Sequence, residues 1–140
     1  MLYLASQSPR RRHLLGQLGV EFRLLDLDVE EVRGPDEAAG DYVRRVAREK
    51  AGAGLLEVVA VPNAVVLGAD TEVVLDGEVF GKPRDEAHAA DMLRRLSGRG
   101  HEVITAVSLV SAGREAQAVS HSQVRVAAMS DADIARYLAS

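Results

Sequence analysis

Met1-Leu2-Tyr3-Leu4-Ala5-Ser6-Gln7-Ser8-Pro9-Arg10-Arg11-Arg12-His13 opens the chain, and the reading of this stretch decides the fold. Met1 to Ala5 is a short apolar run of strand character, broken at Ser6-Gln7-Ser8. Pro9 then starts a helix that reaches Leu18, with Ser8 as its N-cap and Gly19 as its stop. A strand, a polar bend and a helix N-terminus in that order belong to an α/β fold, which places ligands at such junctions. Arg10, Arg11 and Arg12 crowd the first turn, where the helix dipole favours anions over cations. A bound polyanion relieves the conflict, because free N–H groups, serine hydroxyls and guanidinium forks converge on one spot. The stretch therefore predicts a phosphate site. Taken alone, an arginine-rich helix start also fits a solvated face or a nonspecific nucleic-acid patch.

At 140 residues the chain is long enough for one domain with a proper core. Apolar residues make up 47% and aromatic ones only 4%, with no Trp, so the core is expected to be aliphatic. The net charge of −4 argues against a general nucleic-acid binder. Without Cys, disulfides, thiolate chemistry and zinc–thiolate centres are excluded, and the composition fits a reducing cytoplasm. No apolar run approaches the ~20 residues that a membrane span needs, and no signal peptide is expected.

Working outward, Phe22 to Leu27 reads as a second strand running into an acidic cluster of Asp26, Asp28, Glu30 and Glu31. Pro35 and Asp36 are expected to start a long helix with Tyr42, Val43, Val46 and Ala47 on its inner face, ending near Lys50 or a turn or two later. Ala64 to Leu67 reads as a buried strand closing on the turn Gly68-Ala69-Asp70-Thr71. Glu72 to Leu75 and Glu78 to Phe80 flank the hairpin signal Asp76-Gly77. Asp85 to Leu96 is an amphipathic helix with Ala89, Met92, Leu93 and Leu96 inward, ended by Gly98 and Gly100. Glu102 to Val110 and Gln117 to Ala127 are strands, and Ser130 with Asp133 forms a capping box for a last helix. At helical spacing, Leu14, Leu15 and Leu18 share one face of the first helix. The whole predicts an α/β domain over residues 1–140, a mixed twisted sheet flanked by helices.

The chemistry-bearing candidates follow predicted strands: the Ser6/Ser8/Arg10/Arg11 bend, the Asp28–Glu31 segment, Asp70 and Lys82. They combine cations for phosphates with carboxylates for a divalent metal or a base. Mg²⁺ takes oxygen ligands and bridges carboxylate to phosphate, and a nearby carboxylate can activate water for attack on phosphorus. Each candidate has a plainer reading: Asp70 as a turn cap, Glu30 and Glu31 as a solvated run, Lys50 as part of a charged helix face, Lys82 as a loop lysine. His13, His88, His101 and His121 lack metal-ligand spacing and read as structural. Asp91 with Arg94 and Arg95 reads as surface ion pairs.

Ser6-Gln7-Ser8-Pro9-Arg10-Arg11, Glu31, Ala47-Arg48-Glu49-Lys50-Ala51, Gly68-Ala69-Asp70-Thr71, Gly81-Lys82-Pro83, Leu96-Ser97-Gly98 and His101-Glu102-Val103 occur in this order. Over its whole length the chain resembles the Maf proteins, nucleoside triphosphate pyrophosphatases that share an α/β fold with the inosine triphosphatase group. The resemblance implies cleavage of a nucleoside triphosphate to its monophosphate and pyrophosphate with Mg²⁺ or Mn²⁺. It implies Asp70 as the base that orients water, with Lys82 beside it in the catalytic set, and Glu31 as the metal-binding residue. Ser8, Arg10, Arg11, Lys50 and Lys82 would hold the triphosphate, and Ser6 would shape the receiving turn. Ala69-Asp70-Thr71 is similar to the branch acting on dTTP and UTP, including modified uridine nucleotides, with Thr71 and Arg10 carrying that choice. Members clear modified nucleotides from the pool and are linked to inhibition of septum formation, and the resemblance leaves a homodimer open as the assembly.

Family members continue beyond the helix begun at Ser130 with an Ala-Gly-Ala-Tyr-Gly-Ile-Gln-Gly-like segment and a Gly-Leu-Pro-like strand. This sequence has neither: either the usual C-terminal segment lies outside it or the domain is truncated, and in the second case a catalytically impaired nucleotide-binding module stands as the alternative function. A nucleic-acid-binding regulator acting through Arg10 to Arg12 is disfavoured by the acidic balance.

Overall fold

The computed structural model describes residues 1–140. Its elements are β1 (Leu2–Ala5), α1 (Pro9–Gln17), β2 (Phe22–Leu24), α2 (Ala39–Glu57), β3 (Val65–Leu75), β4 (Glu78–Phe80), α3 (Glu86–Leu96), β5 (Gly100–Val110), β6 (Glu115–Arg125) and α4 (Asp131–Ala139). The six strands form one mixed sheet in the order β2-β1-β3-β5-β6, with β4 paired to β3. The expected α/β class is what the chain adopts. The chain divides into two compact units, Met1–Thr71 with Thr105–Ser120, and Glu72–Ile104 with His121–Ser140. No helix is long and apolar enough to cross a membrane.

In the first unit β1 pairs in parallel with β2, Leu2 opposite Phe22, and with β3, from Leu2 opposite Val65 to Ala5 opposite Gly68. Parallel neighbours need crossovers, which α1 and α2 supply. Strands covered on both faces read as unbroken apolar runs, and Leu4, Ala5 and Val66 are almost wholly inaccessible. Tyr3, Ala5, Ala51, Val58, Ala64, Val66 and Val110 form the core cluster, with Leu25, Leu27 and Leu55 packed on it. The inner face of α2 is the expected one: Tyr42, Val43, Val46 and Ala47 are all buried. Each Val buried there is worth roughly 1.5–3 kcal/mol against exposure.

Three expectations for this unit are corrected. First, α2 begins at Ala39, not at Pro35-Asp36. Glu37 N donates to Gly34 O at 3.1 Å, so Pro35 and Asp36 make a turn that precedes the helix. Second, β2 is only three residues long and stops at Leu24. Third, the apolar side of α1 is not buried, since Leu14 is 52% and Leu18 74% exposed. The helix is held by its polar first turn instead, through Ser8 and Arg11.

The most consequential correction concerns Gly68-Ala69-Asp70-Thr71, which is no turn but the middle of the eleven-residue β3. A Cβ on Gly68 would lie 2.4 Å from Ala47 O and 2.5 Å from Ala51 N. The glycine is there because the α2 backbone rests directly on the strand, a close approach that no side chain permits.

In the second unit the tail of β3 turns into β4 as expected, with Val73 opposite Phe80 and Leu75 opposite Glu78. Asp76 and Gly77 take φ of 50° and 79°, the left-handed pair that a type I′ turn requires. Asp85 is the N-cap of α3, accepting from His88 N at 2.7 Å. The expected inner face of α3, Ala89, Met92, Leu93 and Leu96, is half-buried. Arg94 and Arg95 pair not with Asp91 but with Asp131 and Glu78 respectively, and Arg95 also covers the Phe80 ring. Gly98, at φ 66°, ends α3, whereas Gly100 already belongs to β5. The capping box of Ser130 and Asp133 starts α4, which buries Ile134.

Gly68→Ala is expected to lower stability by at least about 2 kcal/mol, because backbone rather than a side chain must move. Gly52→Ala, where nothing lies within 4 Å of the added Cβ, is expected to be neutral or stabilising by up to about 1 kcal/mol. Urea denaturation of the two variants checks the contrast, and equal effects would show that the contact at Gly68 is not tight.

Candidate active site

β1 delivers Ser6, a buried polar residue, to the point where the chain bends. Ser8 N donates to Ser6 Oγ at 3.2 Å, and Ser8 Oγ caps α1 by accepting from Arg11 N at 3.4 Å. The Arg11 guanidinium then bridges two strands, donating to Ser6 Oγ at 3.2 Å and to Thr71 Oγ1 at 3.0 Å. The α1 first turn holds no acidic residue of its own, so its dipole and its arginines add up to a positive pole. Arg10 is exposed on that turn.

α2 carries Lys50 toward the same stretch of β3. Its ammonium lies 2.6 Å from Glu31 Oε1 and 3.5 Å from Asp70 Oδ1, and it donates to Ala69 O at 3.3 Å. The Lys50 and Glu31 side chains are 18% and 25% exposed and that of Asp70 only 5%. One ammonium thus faces two carboxylates. Asp70 and Thr71 are consecutive in β3, so the Lys50 cluster and the Arg11 bridge meet neighbouring residues of one strand. A half-buried lysine held by two acids is in place to meet phosphate, and a buried aspartate beside it to receive a proton from water.

The donor set fits a divalent cation. Mg²⁺ is commonly bound through one or two carboxylates, keeps several waters and takes substrate phosphates for the rest. Glu31 and Asp70 already converge on one cation, the Lys50 ammonium, and are the residues that would hold such an ion.

Of the expected site residues, Ser6, Ser8, Arg11, Glu31, Lys50, Asp70 and Thr71 are brought together within the first unit. Lys82 belongs to the second unit, exposed in the loop after β4. Asp70 lies inside a strand, not after one.

Three contacts escaped sequence reasoning. Gln7 Nε2 donates to Asp26 Oδ1 at 3.0 Å and to Leu27 O at 3.1 Å, tying the acidic loop to the bend. Its position between two site serines was the available signal. Thr105 Oγ1 lies 3.0 Å from Thr71 Oγ1. Arg45 clamps the far end of the loop, donating to Val32 O at 2.7 Å and pairing with Glu37 and Glu49 at 2.8 and 2.9 Å. Its hydrogen bond holds the Glu37 carboxyl down at about 2, aided by Gly34 N–H, and Glu37 in turn pushes the Arg45 guanidinium up.

Comparison with known proteins follows the same line. A family described as Maf-like protein matches residues 1–140. A nucleoside triphosphate pyrophosphatase of Xylella fastidiosa (strain M23) is 58% identical over 139 residues, covering 99% of this chain and 74% of the relative. A dTTP/UTP pyrophosphatase of Xanthomonas euvesicatoria pv. vesicatoria (strain 85-10) is 57% identical over 141 residues, with the same coverage. Among solved structures, the Ham1 protein of Staphylococcus aureus aligns with a TM-score of 0.56 at 14% identity, covering 89% of this chain and 70% of that one, a likeness of fold.

Glu37 has a lower pKa folded than unfolded, where it is near 4.5. Its pairing therefore adds stability above pH 4.5, and that contribution fades as pH falls toward about 2. Glu37→Gln is expected to flatten this acid limb in thermal unfolding measured at stepped pH. Parallel limbs in the two proteins would assign the acid sensitivity elsewhere.

Proposed function

Since this chain belongs to the Maf-like protein family, we propose that it hydrolyses nucleoside triphosphates, dTTP and UTP foremost, to the monophosphate and pyrophosphate. The observation that carries this reading is the Lys50 ammonium set between Glu31 and Asp70 at 2.6 and 3.5 Å. Phosphoryl chemistry asks a protein mainly for positioning and charge neutralisation, and these groups supply both.

In this reading the triphosphate lies against Lys50, Ser8 and the α1 first turn, where Arg10 and Arg11 neutralise its charge. Lys82 adds a further cation in the catalytic set. Asp70 orients a water and takes its proton as the oxygen bonds to the α-phosphorus. The bond from that phosphorus to the bridging oxygen breaks, and its electron pair leaves with pyrophosphate. Mg²⁺ or Mn²⁺ held by Glu31 and Asp70 supplies further neutralisation of the phosphate oxygens when bound. The net charge of −4 supports a small anionic ligand gathered by a local cationic pole over a nucleic-acid backbone. The absence of cysteine supports a cytoplasmic setting.

Purified protein with Mg²⁺ is expected to release pyrophosphate from dTTP and UTP. Asp70→Asn is expected to lower turnover by on the order of 10³ or more, while nucleotide affinity measured without a divalent cation changes by less than about threefold. Retained turnover, or loss of affinity together with turnover, would remove Asp70 from the proposed role.

A further inference from the structure

Thr105 enters the site through a single contact, its Oγ1 lying 3.0 Å from Thr71 Oγ1, across the neighbouring strands β5 and β3. Thr71 Oγ1 also accepts from the Arg11 guanidinium at 3.0 Å. A hydroxyl has one proton and two acceptor positions, whereas a guanidinium only donates. One acceptor position of Thr71 is therefore taken by Arg11. The same cation draws density from Oγ1 and strengthens its O–H as a donor. The direction of the Thr71–Thr105 hydrogen bond then decides what Thr71 offers to a ligand. If Thr105 donates, both acceptor positions are filled and only the proton remains.

We propose that Thr105 is a positioning residue that donates to Thr71, so that Thr71 gives its proton to an acceptor oxygen of the bound nucleotide. Thr71 is exposed, so its hydroxyl is open to a ligand, while Thr105 is half-buried. The acceptor is a base carbonyl or a phosphate oxygen. Uracil and thymine carry a carbonyl at the position where cytosine carries an amino donor, which separates the two sources. The inference rests on the nucleotide reading given above.

Thr105→Val keeps size and branching but removes the hydroxyl, and Thr105→Ser keeps the hydroxyl. Affinities for α,β-methylene UTP and α,β-methylene CTP, which resist cleavage at that bond, are measured by calorimetry beside steady-state rates on UTP and CTP. Thr105→Val is expected to weaken analogue binding about tenfold and Thr105→Ser by less than about twofold, a loss typical of one hydrogen bond. A loss confined to the UTP analogue supports the proposal with a base carbonyl as the acceptor, and an equal loss for both supports it with a phosphate oxygen. Unchanged binding in Thr105→Val overturns it, as does a Thr105→Ser protein as weak as Thr105→Val. Should the unaltered protein bind both analogues yet cleave neither UTP nor CTP, the hydrolytic reading fails while the binding comparison still decides the role of Thr105. If it binds neither analogue, both fall.

Discussion

The close seating of α2 on β3 at Gly68 is the contact on which the site depends. With Ala47 O and Ala51 N about where a Cβ would stand, the helix backbone meets the strand backbone and the next outward residue, Lys50, reaches Ala69 O and Asp70. A larger residue at position 68 would lift the helix and carry the ammonium away from the carboxylates. Packing and chemistry are thus set by the same absent side chain. A glycine in a central strand weakens it by itself, and that weakness is offset by the burial of Val43, Val46, Ala47 and Ala51 around it.

From this contact the polar network spreads in two directions. Toward α1, Thr71 follows Asp70 and receives the Arg11 guanidinium, which Ser6 holds from the other side. Toward the acidic loop, Lys50 takes hold of Glu31, while Gln7 pins the loop's start and Arg45 its end. A loop fastened at three points keeps a carboxylate in register with a strand residue far from it in sequence. Such preorganisation is what charge neutralisation in phosphate chemistry requires.

Much of this was legible in the sequence, and the reasons differ by element. Ser8 and Pro9, the Asp76-Gly77 hairpin and the Ser130–Asp133 capping box are local signals, and each is found where local chemistry puts it. The inner face of α2 showed in its helical spacing. The course of β3 through Gly68–Thr71 did not, because a glycine after an apolar run reads as the end of the strand unless the helix packed against it is known. The start of α2 was displaced for a similar reason: Glu37, committed to Gly34 and Arg45, holds Pro35 and Asp36 in a turn. The exposed apolar side of α1 shows that spacing alone does not decide burial. In the site, Glu31 was legible only as part of the Asp28–Glu31 segment and Lys50 only through the family resemblance, since charges nineteen residues apart carry no sign of meeting. Thr105 had no sequence signal at all.

Glu31 and Asp70, both facing the Lys50 ammonium, would act as one unit toward a divalent ion. A double-mutant cycle on Mn²⁺ affinity with Glu31→Gln, Asp70→Asn and the double variant tests it most directly. Carboxylates sharing one ion are expected to couple, the double variant losing less than the sum of the single losses by about 1 kcal/mol or more. Strictly additive losses, or an affinity indifferent to either substitution, would contradict a shared site.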